Sequence, residues 1–100
     1  MDITVEELKR RLDNKEKLHI IDVREPHEYA EFNIGAENIP LGLLPQKLYD
    51  FDDMKDEEII VHCKSGMRST SAKALLEQNG FKNIRNLTGG MMEWKEKITS

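Results

Sequence analysis

The chain has 100 residues, a formal net charge of −4, and apolar and charged fractions of 38% and 34%. That size suits one domain over residues 1–100 with one modest core, the acidic balance opposes a general nucleic-acid role, and no apolar run reaches membrane-spanning length. A single cysteine excludes an internal disulfide, and the start of the chain lacks the basic and apolar regions of a signal peptide, so a free thiol in a reducing cytoplasm is expected.

Thr4 and Glu7 form a T-x-x-E capping box, and Val5, Leu8 and Leu12 recur at helical spacing, which predicts a first helix over 5–13. Leu18 to Val23 is apolar and β-branched, as a buried parallel strand requires. Pro26, with Glu25 and Glu28 beside it, opens a short helix through Phe32. Gly35, Pro40 and Gly42 punctuate a loop with a short strand near Asn38-Ile39, and a weak helix follows from Leu44 to Phe51. Ile59 to His62 reads as a central strand. From Ser69 on, Ala72, Leu75 and Leu76 share a helix face, with Gly80 as the stop signal. A last strand is expected over 82–87, and Gly89-Gly90 opens a final helix to about Lys97. Alternating strands and helices imply an α/β fold with right-handed crossovers, a parallel sheet and helices on both faces. Ligands of such folds bind beyond the carboxyl ends of strands.

Cys63 lies at such an end, in the run Ile59-Ile60-Val61-His62-Cys63-Lys64-Ser65-Gly66-Met67-Arg68-Ser69. A strand-to-helix turn points successive amides at one spot, and the helix adds its positive end. A thiol in that bowl is biased towards thiolate, which makes Cys63 the candidate nucleophile for an anionic or sulfur-bearing substrate. Arg68 sits where the helix dipole disfavours a cation, so it needs an anion: a substrate oxyanion or a nearby carboxylate. Lys64 is placed to guide an anionic substrate. Gly66 supplies a backbone conformation that other residues resist. Ser65 and Ser69 carry hydroxyls within reach of the sulfur, with capping the expected task of Ser69. Met67 is expected to contribute mainly its backbone N–H.

The remaining polar residues read as structural. His62 points to the sheet face opposite Cys63. Asp22 is expected to accept N–H bonds or pair with an arginine, and Arg24 to pair with Glu25 or Glu28. Trp94, Met91 and Met92 read mostly as core at helical spacing, with Met91 or Met92, where exposed, a candidate for an apolar rim near the site. The three histidines lack the spacing of a metal site, and no cofactor is expected.

Four landmarks stand in order: Asp22-Val23-Arg24-Glu25 with Glu28-Tyr29; Gly35-Ala36-Glu37-Asn38-Ile39-Pro40-Leu41; the loop Cys63 to Ser69; and Leu87-Thr88-Gly89-Gly90 with Trp94. Together they resemble a single-domain rhodanese, a sulfurtransferase, from about Ile3 to Lys97. Two positions depart from that pattern: Asn33, where relatives often carry histidine and one more residue before the glycine, and Lys64, often arginine. The resemblance implies a five-stranded parallel sheet and a persulfide on Cys63, with residues 64–69 binding the substrate. It also implies a small sulfur donor such as thiosulfate, and a thiol, protein persulfide or cyanide as acceptor. No membrane is implied, and a monomer is the default. Two other classes use related chemistry or the same fold. A cysteine phosphatase or arsenate reductase shares the cysteine, anion loop and arginine, but the phosphatase signature has five residues between the two where this chain has four. A non-catalytic protein-recognition module is expected to lose the cysteine, which this chain keeps.

Overall fold

The computed structural model describes residues 1–99. Thr4 stops the extended N-terminal residues and starts helix α1 (Val5–Asp13), its hydroxyl oxygen accepting the Glu7 N–H at 3.1 Å. Strand β1 (His19–Asp22), helix α2 (Pro26–Glu31), strand β2 (Glu37–Asn38), helix α3 (Leu44–Lys47), strand β3 (Glu58–His62), helix α4 (Met67–Gln78), strand β4 (Asn83–Asn86) and helix α5 (Gly90–Lys97) follow. The weak helix expected around 44–51 is instead broken. A 3₁₀ turn at Leu41–Leu43 precedes α3, and a second 3₁₀ segment, Leu48–Met54, follows it.

All strand pairs are parallel, in the order β2-β1-β3-β4. The register sets Asp22 beside His62 and Val61 beside Asn86, so the carboxyl ends of the three longer strands meet at one edge. The expected fifth strand is absent among the described residues. Ile3 forms a single parallel bridge to Leu87, with Ile3 N–H donating to Asn86 O (3.0 Å) and Thr88 N–H to Ile3 O (2.9 Å). Because Thr4 is already the cap of α1, the extended stretch ends after one paired residue and cannot build a ladder.

Strand alternation divides the core between two faces. Ile21, Ile59, Val61 and Ile84 pack with Ala72 and Leu76 of α4, Leu44 of α3 and Phe51. Ile20 and Ile60 pack on the other face with Val5 and Leu8 of α1 and Met91 and Trp94 of α5. Each buried aliphatic side chain of this kind contributes about 2 kcal/mol. At the opposite end of the sheet from Cys63, Glu58 takes Arg11 (2.6 and 2.8 Å) and Arg85 (3.1 Å), and Arg85 also holds Glu7 (2.9 Å). That network ties α1 to the start of β3 and to β4.

Candidate active site

The chain leaves β3 at His62 and turns into α4 through Cys63–Gly66. Gly66 is the cap residue of α4 with φ +107°, a left-handed conformation that a side chain resists. Its carbonyl points away from the sulfur and accepts from Thr70 N–H (3.1 Å), Thr70 Oγ1 (2.7 Å) and Asn86 Nδ2 (3.3 Å). Its N–H points the other way and donates to Cys63 Sγ at 3.1 Å; the N–H of Ser69 adds a second bond at 3.4 Å. Cys63 itself is only 1% exposed and borders the α4 side of the core. Burial pushes its thiol pKa up, but hydrogen bonds from the Ser69 hydroxyl and the amides of Ser69, Gly66 and Ser65 outweigh burial, and the net shift is downward.

Helix α5 braces this loop from behind. Met91 N–H donates to Cys63 O (2.9 Å) and Met92 N–H to Lys64 O (2.8 Å). With carbonyls bound outward to the helix, the same stretch is left with amides to turn inward. The close approach needs glycine: a Cβ on Gly90 (φ +56°) would lie 2.5 Å from Cys63 O and 2.7 Å from Lys64 O.

The other candidate residues take distinct positions. Lys64 and Ser65 are exposed, and Met67 is 80% exposed with its side chain in solvent. The bonds reaching the sulfur come from Gly66 and Ser69, not from Met67. Ser69 is buried and does not cap α4, contrary to expectation, because Gly66 occupies the cap and Ser69 lies three residues inside. Its hydroxyl has three acceptors in range: Asn86 Oδ1 at 2.5 Å, Gly66 O at 3.2 Å and Cys63 Sγ at 3.4 Å. One proton cannot serve all three, and the shortest contact is to Asn86, so the backbone amides are the steady donors to sulfur. Arg68 pairs with Glu28 of α2 through both terminal nitrogens, at 2.7 and 2.9 Å. That contact and the nearby Cys63 sulfur reinforce its positive charge. Glu28 in turn is held far below the ordinary carboxylate range, to about 2, chiefly by Arg68.

Arg24 differs from expectation. It pairs with Asp22 (Nη2 to Oδ2, 2.7 Å) rather than with Glu25 or Glu28, and it also donates to the carbonyls of Phe32 and Glu28. Both Asp22 and Arg24 are buried, so the pair fixes the end of β1 and the C-terminal end of α2. In the shortened loop, Asn33 Oδ1 accepts the Gly35 N–H (2.9 Å) and its Nδ2 donates to Tyr29 O (3.0 Å), closing a tight turn at Gly35, φ +84°. Three contributors escaped the sequence reading: Asn86, Gly90 as a brace, and Glu28 as the partner of Arg68. The Gly89-Gly90 pair after a strand was a readable signal for the second; the other two depend on long-range pairing.

His62 is fully buried, 3.7 Å from Asp22 Oδ2, and neither ring nitrogen has a hydrogen-bond partner among the described residues. Burial drives its pKa down from 6.5 to about 4, against the pull of Asp22. The folded chain therefore binds this proton more weakly than the unfolded chain, and stability falls as pH drops from 6.5 towards 4, by about 3 kcal/mol in all. The carboxylates with lowered pKa lose their contribution only below their ordinary range, near 4.5 for Glu28. Urea unfolding between pH 7 and 5 should thus show a decline that His62→Leu flattens; an equal decline in the variant would rule out His62 as its source.

A family model described as the rhodanese-like domain matches residues 4–97. "Putative sulfurtransferase YtwF" of Bacillus subtilis is 41% identical over 95 residues, covering 94% of this chain and 89% of that protein. "Putative sulfur carrier protein YrkF" of the same organism is 36% identical over 97 residues; the match covers 96% of this chain but 51% of that protein. Among solved structures, the human single-domain sulfurtransferase TSTD1 superposes with a TM-score of 0.82 at 27% identity, covering 96% of both chains. No helix among the described residues is long and apolar enough to cross a membrane.

Proposed function

The chain belongs to the rhodanese-like domain family, and on that premise we propose that it is a sulfurtransferase carrying a sulfane sulfur on Cys63. The observation that carries this reading is the pair of amides, Gly66 and Ser69, donating to one sulfur at the end of a central strand. The Cys63 thiolate attacks the outer sulfur of a donor. With thiosulfate, the S–S bond breaks and sulfite departs with the bonding pair, leaving Cys63–S–S⁻. An acceptor thiolate then attacks the outer sulfur, forming its own persulfide and returning Cys63 to thiolate. Each step breaks one sulfur–sulfur bond and forms another with no net change of oxidation state, so no redox cofactor is required. The amides of residues 65, 66 and 69 hold the negative sulfur, Met67 shapes the rim, Lys64 draws in an anionic donor and Arg68 adds positive potential. Residues 1–100 act as one domain, with a small donor and a thiol or protein persulfide as partners. The cytoplasm suits a lone reactive cysteine, because it keeps thiols reduced.

Intact-mass spectrometry tests the reading. After incubation with thiosulfate or an alkyl persulfide, the protein should gain one sulfur atom that a reductant removes. No gain from either donor would refute it.

A further inference from the structure

We propose that Glu28 sets the donor preference of this site: by holding Arg68 in an internal ion pair, it favours persulfide donors, whose departing thiolate carries no oxyanion for Arg68 to grip, over sulfonate-type donors. The inference rests on the reading of Cys63 as the sulfur carrier. Arg68 is the second residue of α4, on the turn that presents Gly66 and Ser69 to the sulfur. Its planar fork matches a sulfonate or a carboxylate equally well. Here the carboxylate is already in place, two-pronged, with the pair only partly open to solvent (35% and 21%).

Glu28 does not wander. Its Oε1 also accepts the Glu25 N–H at 2.9 Å, so the cap of α2 and the hold on Arg68 share one side chain. A sulfonate that claims Arg68 must displace an ionised glutamate and leave it unpaired. The groove beside the loop, about 390 Å³, offers no second fork to such a group. Its cations are Lys64 and Lys95, both point charges, and Arg24, which Asp22 already holds. A persulfide donor delivers its outer sulfur to Cys63 and needs only the amides.

Glu28→Gln separates the two tasks. Glutamine still accepts the Glu25 N–H, as a capping box allows, but its neutral amide releases Arg68. The first readout is the ratio of Cys63 alkylation rates with iodoacetate, an anion, and iodoacetamide, its neutral counterpart. Both reagents consume the same thiolate, so its population cancels. The ratio should rise about tenfold in the variant, as a newly freed adjacent charge supplies. Adding Arg68→Ala should bring it back. The second readout is steady-state turnover of thiosulfate, in which KM should fall by about the same factor and more than kcat changes. An unchanged ratio, or a rise that survives Arg68→Ala, overturns the proposal. Normal alkylation with no sulfur gained from thiosulfate or an alkyl persulfide would refute the parent reading instead, while the ratio still decides whether Glu28 masks Arg68.

Discussion

Cys63→Ser should reduce sulfur loading and sulfite release from thiosulfate to background while leaving the fold in place. The amides of Gly66 and Ser69 stabilise a thiolate already biased towards ionisation. A serine hydroxyl stays protonated in the same cradle, and its oxygen is a poor partner for a soft sulfur electrophile. The replacement is close in shape, and its oxygen can accept the same N–H bonds. The unfolding free energy should therefore stay within about 1 kcal/mol of the parent. Intact mass and sulfite release check the first half of this expectation, and urea unfolding the second. A serine variant that still gains sulfur would transfer the nucleophile elsewhere.

Gly90→Ala should damage both stability and the thiol. The new methyl would overlap Cys63 O at 2.5 Å and Lys64 C at 2.7 Å, backbone atoms that cannot swing aside, at a residue with φ +56°. The left-handed conformation alone costs an alanine about 1–2 kcal/mol. With the overlap, a loss of about 3 kcal/mol or more is expected. Relief comes by moving the loop off α5, which loosens the Met91 and Met92 bonds and swings the Gly66 amide from the sulfur. The pH profile of iodoacetamide alkylation should accordingly shift to higher pH. Gly42→Ala is the matched control, since nothing lies within 4 Å of a Cβ there. Equal behaviour of the two variants would refute the bracing role of Gly90.

The parts of this molecule legible in the sequence are those fixed by near neighbours. The Thr4–Glu7 box placed α1 correctly, and the apolar run before Cys63 marked β3 and the turn where amides gather. Arg68 also announced itself, as a cation where the dipole opposes one. Its alternatives stayed open because the deciding carboxylate, Glu28, lies 40 residues away. Asn86 was hidden for the same reason, reaching Ser69 across 17 residues from the next strand. Periodicity cannot register such pairings. Periodicity and a capping serine point to a start of α4 near Ser69, whereas the left-handed Gly66 caps the helix and lets it begin at Met67. The region from Leu41 to Met54 mixes proline, glycine and weak helical spacing, which is why it settled into a short helix between tighter turns.

The Ile3 bridge has a further consequence. Asp2 Oδ1 accepts both Lys73 Nζ (2.9 Å) and the Asn86 N–H (3.1 Å), and the Asn86 side chain reaches Ser69, which touches the sulfur. A residue 61 positions upstream of the nucleophile is thus two links from the group that steadies it. A purification tag or crosslinker attached at Met1 would tug on that clasp, and reactivity measured on such material would carry the mark of the attachment.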